Sequence, residues 1–226
     1  MAAMLHIEAA LDAPALARLR AGLDGAAWID GRATAGNLSG GAKKNRQLSE
    51  NDPLAAELGA VILDALSRNA VFVSAALPAI ISPPIFNCYA LGEEYGDHID
   101  GAIRPLARGR MRTDLSVTVF LDDPEDYDGG ELVVSDLGGD QLVKLPAGDL
   151  ILYEASSIHH VAPVMRGRRR AAILWVQSLV RDAAQRATLY ALDQSIQRLR
   201  EIDAAKGEVL PLTAAYHNLL RMWAEP

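Results

Sequence analysis

Two histidines and an aspartate are the residues of this chain whose types and spacing can do chemistry together. His98 and Asp100 stand two apart in Tyr95-Gly96-Asp97-His98-Ile99-Asp100-Gly101. Successive side chains of a strand point to opposite faces, so in an extended backbone this imidazole and this carboxylate project from one face. They offer two ligands to one cation. Alone the triplet says little, because H-x-D recurs by chance and His98 serves equally well as a hydrogen-bonded core histidine. His159, in Tyr153-Glu154-Ala155-Ser156-Ser157-Ile158-His159-His160-Val161, supplies a third ligand at a polar turn after a strand. Two histidines and one carboxylate occupy one face of an octahedron, leave the other open, and suit non-haem Fe(II). A structural zinc site would close four positions, usually with cysteines. The chain has one, Cys88.

Arg169 follows His159 by ten residues. A guanidinium fork holds a carboxylate through two parallel hydrogen bonds, which fits the distal end of a keto-diacid co-substrate. Arg166, Arg168 and Arg170 stand beside it, and such runs are usually a solvated turn. Strand alternation groups Arg169 with Ala171, Ile173 and Trp175, and Arg170 with Ala172 and Leu174. Both faces are apolar, so parity does not choose between them; the spacing from His159 favours Arg169.

The elements that must position these residues follow from periodicity. Residues 11–24 read as a helix capped by Asp12, with Leu16, Leu19 and Leu23 on one face, and residues 53–68 as a second, with Leu54, Leu58, Ile62 and Leu66 on one stripe. Residues 31–51 read as a loop with a basic cluster at Lys43, Lys44 and Arg46. After Pro83-Pro84 the pattern becomes strand-like at Ile85–Leu91, Asp114–Leu121, Glu131–Val134, Gln141–Lys144, Asp149–Tyr153 and Arg169–Leu179, with glycine turns between. Short strands at close spacing predict a mainly β fold, a sandwich or barrel of antiparallel sheets, with the N-terminal helices packed on one sheet. From Arg181 helical periodicity returns; Lys206-Gly207 breaks it and Pro211 opens a last helix. This tail either covers the barrel or makes an oligomer contact.

The bulk properties exclude some classes. A net charge of −7 and a pI near 5.2 argue against non-specific nucleic-acid binding. One cysteine forbids an internal disulfide framework. Neither a signal peptide nor a membrane span is read, so a soluble, cytoplasmic protein is expected. Arg104, Arg108, Arg110 and Arg112, together with the Lys43–Gln47 stretch, lean toward an anionic substrate, or else form a solvated lid.

Residues 84–180 resemble the prolyl/lysyl-hydroxylase-like branch of the 2-oxoglutarate dioxygenases. In that branch a tyrosine, H-x-D, a distal histidine and an arginine about ten residues on recur, here Tyr89, His98, Asp100, His159 and Arg169. The likeness is closer to the bacterial PKHD-type hydroxylases, also labelled iron-uptake factors. It is carried by Met111-Arg112-Thr113-Asp114-Leu115-Ser116, Tyr127-Asp128-Gly129-Gly130-Glu131-Leu132, Lys144-Leu145-Pro146-Ala147-Gly148-Asp149 and Tyr216-His217-Asn218-Leu219-Leu220-Arg221. The resemblance implies a double-stranded β-helix (jelly-roll) core at 81–180 behind a helical front at 1–80, one dioxygenase domain over 1–180, and a helical appendage at 181–226. It implies Fe(II), 2-oxoglutarate and O2, with L-ascorbate as helper. His98, Asp100 and His159 would hold iron and Arg169 the 2-oxoglutarate, with Tyr89 near the keto acid. The implied reaction hydroxylates a small molecule or a protein side chain and converts 2-oxoglutarate to succinate and CO2. His160, directly after the distal ligand, departs from the pattern and is expected to face outward. Two other readings are a non-catalytic iron-binding or iron-responsive protein on the same scaffold, and a cupin-like Mn(II) enzyme. Cupins usually bring more histidines than the five present.

Overall fold

Caps and prolines start the helices where the sequence puts them. The computed structural model describes residues 4–34, 43–136, 138–202 and 206–225. The chain runs β1 (Leu5–Ile7), α1 (Ala13–Asp24), β2 (Trp28–Asp30), β3 (Lys43–Lys44), β4 (Arg46–Leu48), α2 (Pro53–Arg68), α3 (Ala70–Ala76), β5 (Pro78–Ile81), β6 (Ile85–Ala90), β7 (Glu94–His98), β8 (Ile103–Pro105), β9 (Arg110–Arg112) and β10 (Leu115–Phe120). It continues with β11 (Tyr127–Gly129), β12 (Leu132–Asp136), β13 (Gly139–Val143), β14 (Leu150–Glu154), β15 (His159–Val161), β16 (Val164–Ser178), α4 (Ala183–Arg200) and α5 (Lys206–Trp223). The carboxylates of Asp12 and Asp52 accept from Ala15 N and Leu54 N, and each helix carries proline in its first turn, where a missing N–H costs nothing.

Three antiparallel sheets form. The largest has nine strands, in the path β1-β14-β10-β16-β6-β4-β2, with β11 and β5 also pairing β16. The second runs β13-β12-β15-β7-β3, and β8 and β9 make a hairpin. Alternation on β10 decides what each face of the large sheet does. Leu115, Val117 and Val119 join Leu19, Leu23, Leu58, Ile62, Leu66 and Phe72 in the core beneath the helices. Phe120 faces the other way and packs with Leu132, Val134 and Val161 of the second sheet. The two sheets therefore lie face to face, with helices on the outer side of one, a jelly-roll arrangement.

The register of β16 resolves what parity left open. Ala172, Leu174 and Val176 lie in the core under the helices, and Arg170 shares their face. Its guanidinium meets Asp122 at 2.6 and 3.0 Å and Asp24 at 2.8 Å. Arg169 turns to the opposite face, between the sheets. The Arg170–Asp122 pair is buried on both sides, so removing the carboxylate strands a charge in a place water does not reach. Asp122→Ala is expected to lose about 3 kcal/mol of stability, the low end for a broken buried pair because Asp24 remains. A urea midpoint within error of the native value would show that the pair is structurally idle.

The structure also corrects several expectations. The 31–51 stretch is not a plain loop: β3 and β4 lie within it, and residues 35–42 fall outside the described ones. The strand read as starting at Arg169 begins at Val164, five residues earlier, because β11 extends the pairing. The last helix starts at Lys206, and Pro211 sits inside it, in its second turn, where proline removes one i→i−4 hydrogen bond and its ring crowds the carbonyl four residues back. Among the described residues no single helix is long and apolar enough to cross a membrane.

Candidate metal and co-substrate site

A short cross-strand pairing brings the distant histidines together. β15 runs antiparallel to β7 with His159 opposite His98, and the two rings lie 4.2 Å apart. Asp100 lies two residues beyond His98, just past the end of β7. Strand alternation is therefore not what aims its carboxylate. The Ser116 hydroxyl, on the inward face of β10, donates to Asp100 Oδ2. The same carboxylate oxygen lies 3.9 Å from His159 Nε2. One ligand atom from each of His98, Asp100 and His159 fits within a span of 4.8 Å.

Both imidazoles are held in one tautomer. Nδ1 of His98 lies 2.9 Å from the Gly96 carbonyl and Nδ1 of His159 lies 3.0 Å from that of Ser157. A carbonyl can only accept, so each Nδ1 carries a hydrogen, and Nε2 is the nitrogen each ring has left to offer a metal. Burial, and then the neighbouring His159, pull the His98 pKa down to about 4. His98 is thus neutral at physiological pH, the form that binds metal. The Tyr95 ring stacks on His98 at 3.7 Å, and Tyr153 meets His159 edge-on at 5.3 Å. This is a tautomer-fixed 2-His-1-carboxylate set, and its chemistry fits a first-row divalent metal with open positions.

Arg169 points into the same cavity, of about 160 Å³, whose lining also includes Tyr89, Thr118, Tyr153, Ile173 and Trp175. The guanidinium is 1% exposed. Nε, Nη1 and Nη2 have no hydrogen-bond partner among the described residues. The rings of Tyr89 and Phe120 each lie 5.4 Å from it. The Tyr127 hydroxyl lies close by without meeting hydrogen-bond geometry. A buried cation with every donor idle is costly, and it is resolved by an anion that brings oxygens to the fork. Gly130 makes room for it: with φ at +67°, a Cβ there would press on Arg169 Cδ at 3.2 Å.

The model of the 2OG-Fe(II) oxygenase superfamily matches residues 84–177, and that of the PKHD-type hydroxylase C-terminal domain matches residues 183–225. A PKHD-type hydroxylase of Phenylobacterium zucineum is 54% identical over 225 residues, covering 98% of this chain and 99% of its own. The chain belongs to the PKHD-type hydroxylases. The PKHD-type hydroxylase PiuC of Pseudomonas aeruginosa is 52% identical, over 98% of this chain and 99% of its own. Solved structures share the fold at low identity. A Pseudomonas putida prolyl-4-hydroxylase aligns with TM-score 0.53 at 18% identity, over 77% of this chain and 92% of its own. The carbocyclase SnoK from nogalamycin biosynthesis aligns with TM-score 0.54 at 14% identity, over 78% and 80%.

In this PKHD-type hydroxylase the residues singled out in the sequence do not all reach the cavity. His98, Asp100, His159, Arg169 and Tyr89 line it; of the four arginines after H-x-D only Arg104 does, and of the Lys43–Gln47 stretch Lys43 and Gln47 do. Arg112 is tied to Asp114 at 2.6 and 2.9 Å, and Arg46 to Glu93 at 3.3 Å. His160 bonds Asp97 at 2.8 Å through Nδ1, outside the cavity lining. Ser116, Thr118 and Tyr153 were not foreseen. The signal was available: Ser116 and Thr118 alternate with apolar Leu115, Val117 and Val119, and polar residues on one face of a strand buried on both sides mark a polar site. Removing the hydroxyl in Ser116→Ala is expected to weaken Mn(II) or Fe(II) binding about 10- to 100-fold by freeing the Asp100 carboxylate. Anaerobic calorimetry that returns the native affinity would exclude this orienting role.

Proposed function

We propose that this PKHD-type hydroxylase inserts one oxygen atom of O2 into a C–H bond of its substrate while oxidatively decarboxylating 2-oxoglutarate. His98, Asp100 and His159 would hold the Fe(II), and Arg169 would hold the distal carboxylate of 2-oxoglutarate. The observation that carries the reading is the fully buried Arg169 guanidinium, with three idle donors, in the cavity that the three ligand atoms face. With Fe(II), 2-oxoglutarate and O2 bound, the site converts 2-oxoglutarate to succinate and CO2 and the substrate C–H to C–OH.

The chain's own contribution is positional and electrostatic. The Gly96 and Ser157 carbonyls fix the two imidazoles, and Ser116 fixes the carboxylate. Arg169 draws an anion into a place where its interaction is little screened. Tyr89 would lie along the co-substrate. Burial raises its pKa to about 12, so it stays a neutral hydroxyl able to donate to a carboxylate. Thr118, whose hydroxyl lies near Tyr153 and meets strict hydrogen-bond geometry with no group among the described residues, is a second donor in the same wall. Apolar Phe120, Leu132 and Val161 keep bulk water from this end. L-ascorbate would serve as reductant for enzyme oxidised in unproductive cycles. The substrate is a small molecule or a protein side chain. The acidic pI supports neither nucleic acid as partner nor an anionic membrane surface.

Incubation with Fe(II), labelled 2-oxoglutarate, ascorbate and O2, followed by measurement of succinate, tests the proposal. Succinate formed above a metal-free control supports it. A protein that binds Fe(II) and yields no succinate after anaerobic loading and exposure to O2 is instead a non-catalytic iron-binding protein.

A further inference from the structure

The cavity has a second cationic end. Lys43 is 7% exposed and lines the cavity. β3 pairs it opposite Tyr95, and its ammonium lies 5.3 Å above the Tyr95 ring. That ring in turn covers His98. Gln47 accepts from the ammonium at 2.9 Å and holds it in place. Burial lowers the Lys43 pKa to about 8, which leaves the group charged at neutral pH. Arg104, on β8, lines the same cavity and lies 4.3 Å above the Trp175 ring.

Among the described residues the charged and titratable groups near Lys43 include Glu50, Arg104, Asp30 and His98. Glu50 shows what this end accepts: both of its oxygens approach Arg104 Nη2, at 3.2 and 3.4 Å. A planar carboxylate thus already fits the guanidinium from outside, in a half-exposed pair that costs little to exchange. Arg169 sits among Tyr89, Phe120 and Tyr127, a set that shares no member with the surroundings of Lys43 and Arg104.

We propose that Lys43 and Arg104 form a second carboxylate subsite in the cavity, and that the substrate of this hydroxylase carries a carboxylate that seats there. The inference rests on reading the Arg169 end as the 2-oxoglutarate seat. Trp175 supports the subsite from below, with its ring under the Arg104 guanidinium. Glu50 competes with the substrate for Arg104.

The test uses the full-length protein with Mn(II) in place of Fe(II) and saturating 2-oxoglutarate, with benzoate as probe and benzamide as its neutral counterpart. Paramagnetic broadening of the probe's proton resonances reports approach to the metal. Broadening of the 2-oxoglutarate methylene lines in the same sample reports the primary seat. Benzoate is expected to broaden, and benzamide not. Arg104→Gln, on a partly exposed hairpin where folding is safe, is expected to weaken benzoate about tenfold. Lys43→Met combined with Arg104→Gln removes the effect, and Glu50→Gln tightens benzoate about threefold. Equal broadening by benzoate and benzamide, or full benzoate broadening in the double variant, overturns the subsite while 2-oxoglutarate broadening leaves the primary seat standing. Absence of 2-oxoglutarate broadening in the native protein overturns the primary seat, and the subsite with it.

Discussion

Arg169→Met is expected to make the ligand-free protein more stable while abolishing most of the stability it gains from 2-oxoglutarate. The native guanidinium is buried, and its three nitrogens have no hydrogen-bond partner among the described residues. Replacing a buried, uncompensated charge with an apolar chain of similar length is expected to gain about 1–4 kcal/mol. For a chain of this size that is a rise of about 2–4 °C in Tm per kcal/mol. The same substitution removes the fork for the co-substrate carboxylate. Losing one partner of a buried, hydrogen-bonded charge pair costs about 2–5 kcal/mol, so the 2-oxoglutarate requirement rises by at least about 30-fold. The opposite signs make the experiment discriminating. Thermal melts with and without 2-oxoglutarate and Mn(II), and succinate formation against 2-oxoglutarate concentration, measure both. A destabilised ligand-free variant would mean that the guanidinium has a structural partner. An unchanged requirement would place the co-substrate elsewhere. Its neighbours are poor substitutes, since Arg166 pairs with Asp128, Arg168 with Asp24 and Arg170 with Asp122.

Alanine at 98, 100 or 159 is expected to reduce succinate formation to the metal-free background. Changing a partner that only orients a ligand already costs about 10- to 100-fold in metal affinity; deleting the ligand costs more than that. Three ligands span one face, so two leave a site that water competes for readily. Asp100→Ala also separates charge from fold. Its carboxylate touches Ser116 and faces His159, so its removal leaves the β7–β15 pairing in place, and far-UV circular dichroism should be unchanged. His160→Ala is the control: its ring is engaged with Asp97, and native Mn(II) affinity is expected. Turnover retained in any of the three ligand variants would remove that residue from the metal site. Loss of metal binding in His160→Ala would bring His160 into it.

Much of this site was legible in the sequence because its chemistry depends on residue types that are costly to bury for any other reason. His98, Asp100 and His159 converge on one another, as the spacing and the resemblance suggested. Helices α1 and α2 were readable because Asp12, Asp52 and the prolines after them act locally. What escaped depends on pairings distant in sequence. β3 has two residues and β15 three, too few to show a period; β3 exists because β7 lies alongside, and β15 because it fills the place between β12 and β7. The placement of Asp100 beyond the strand escaped because alternation also predicts two residues on one side, and only the Ser116 contact reveals the actual support. Arg169 could not be separated from Arg170 by parity until the helices had claimed one face of β16. The basic run from Arg104 to Arg112, read either as leaning toward an anionic substrate or as a solvated lid, sends Arg104 alone to the cavity lining; charge composition does not record that Arg112 is tied to Asp114.

The opposite fates of Arg169 and Arg170 bear on how the chain tolerates change. They are adjacent on a fifteen-residue strand, yet one is balanced by aspartates under the helices and the other waits for a diacid between the sheets. Inserting a single residue ahead of them in β16 would turn Arg169 toward Asp122 and Asp24 and put Arg168 in its place between the sheets, while a deletion would leave Asp122 opposite the methyl group of Ala171. Length variation among descendants of this gene should accordingly collect in connecting segments and at the chain ends, and be purged from the stretch between Val164 and Ser178.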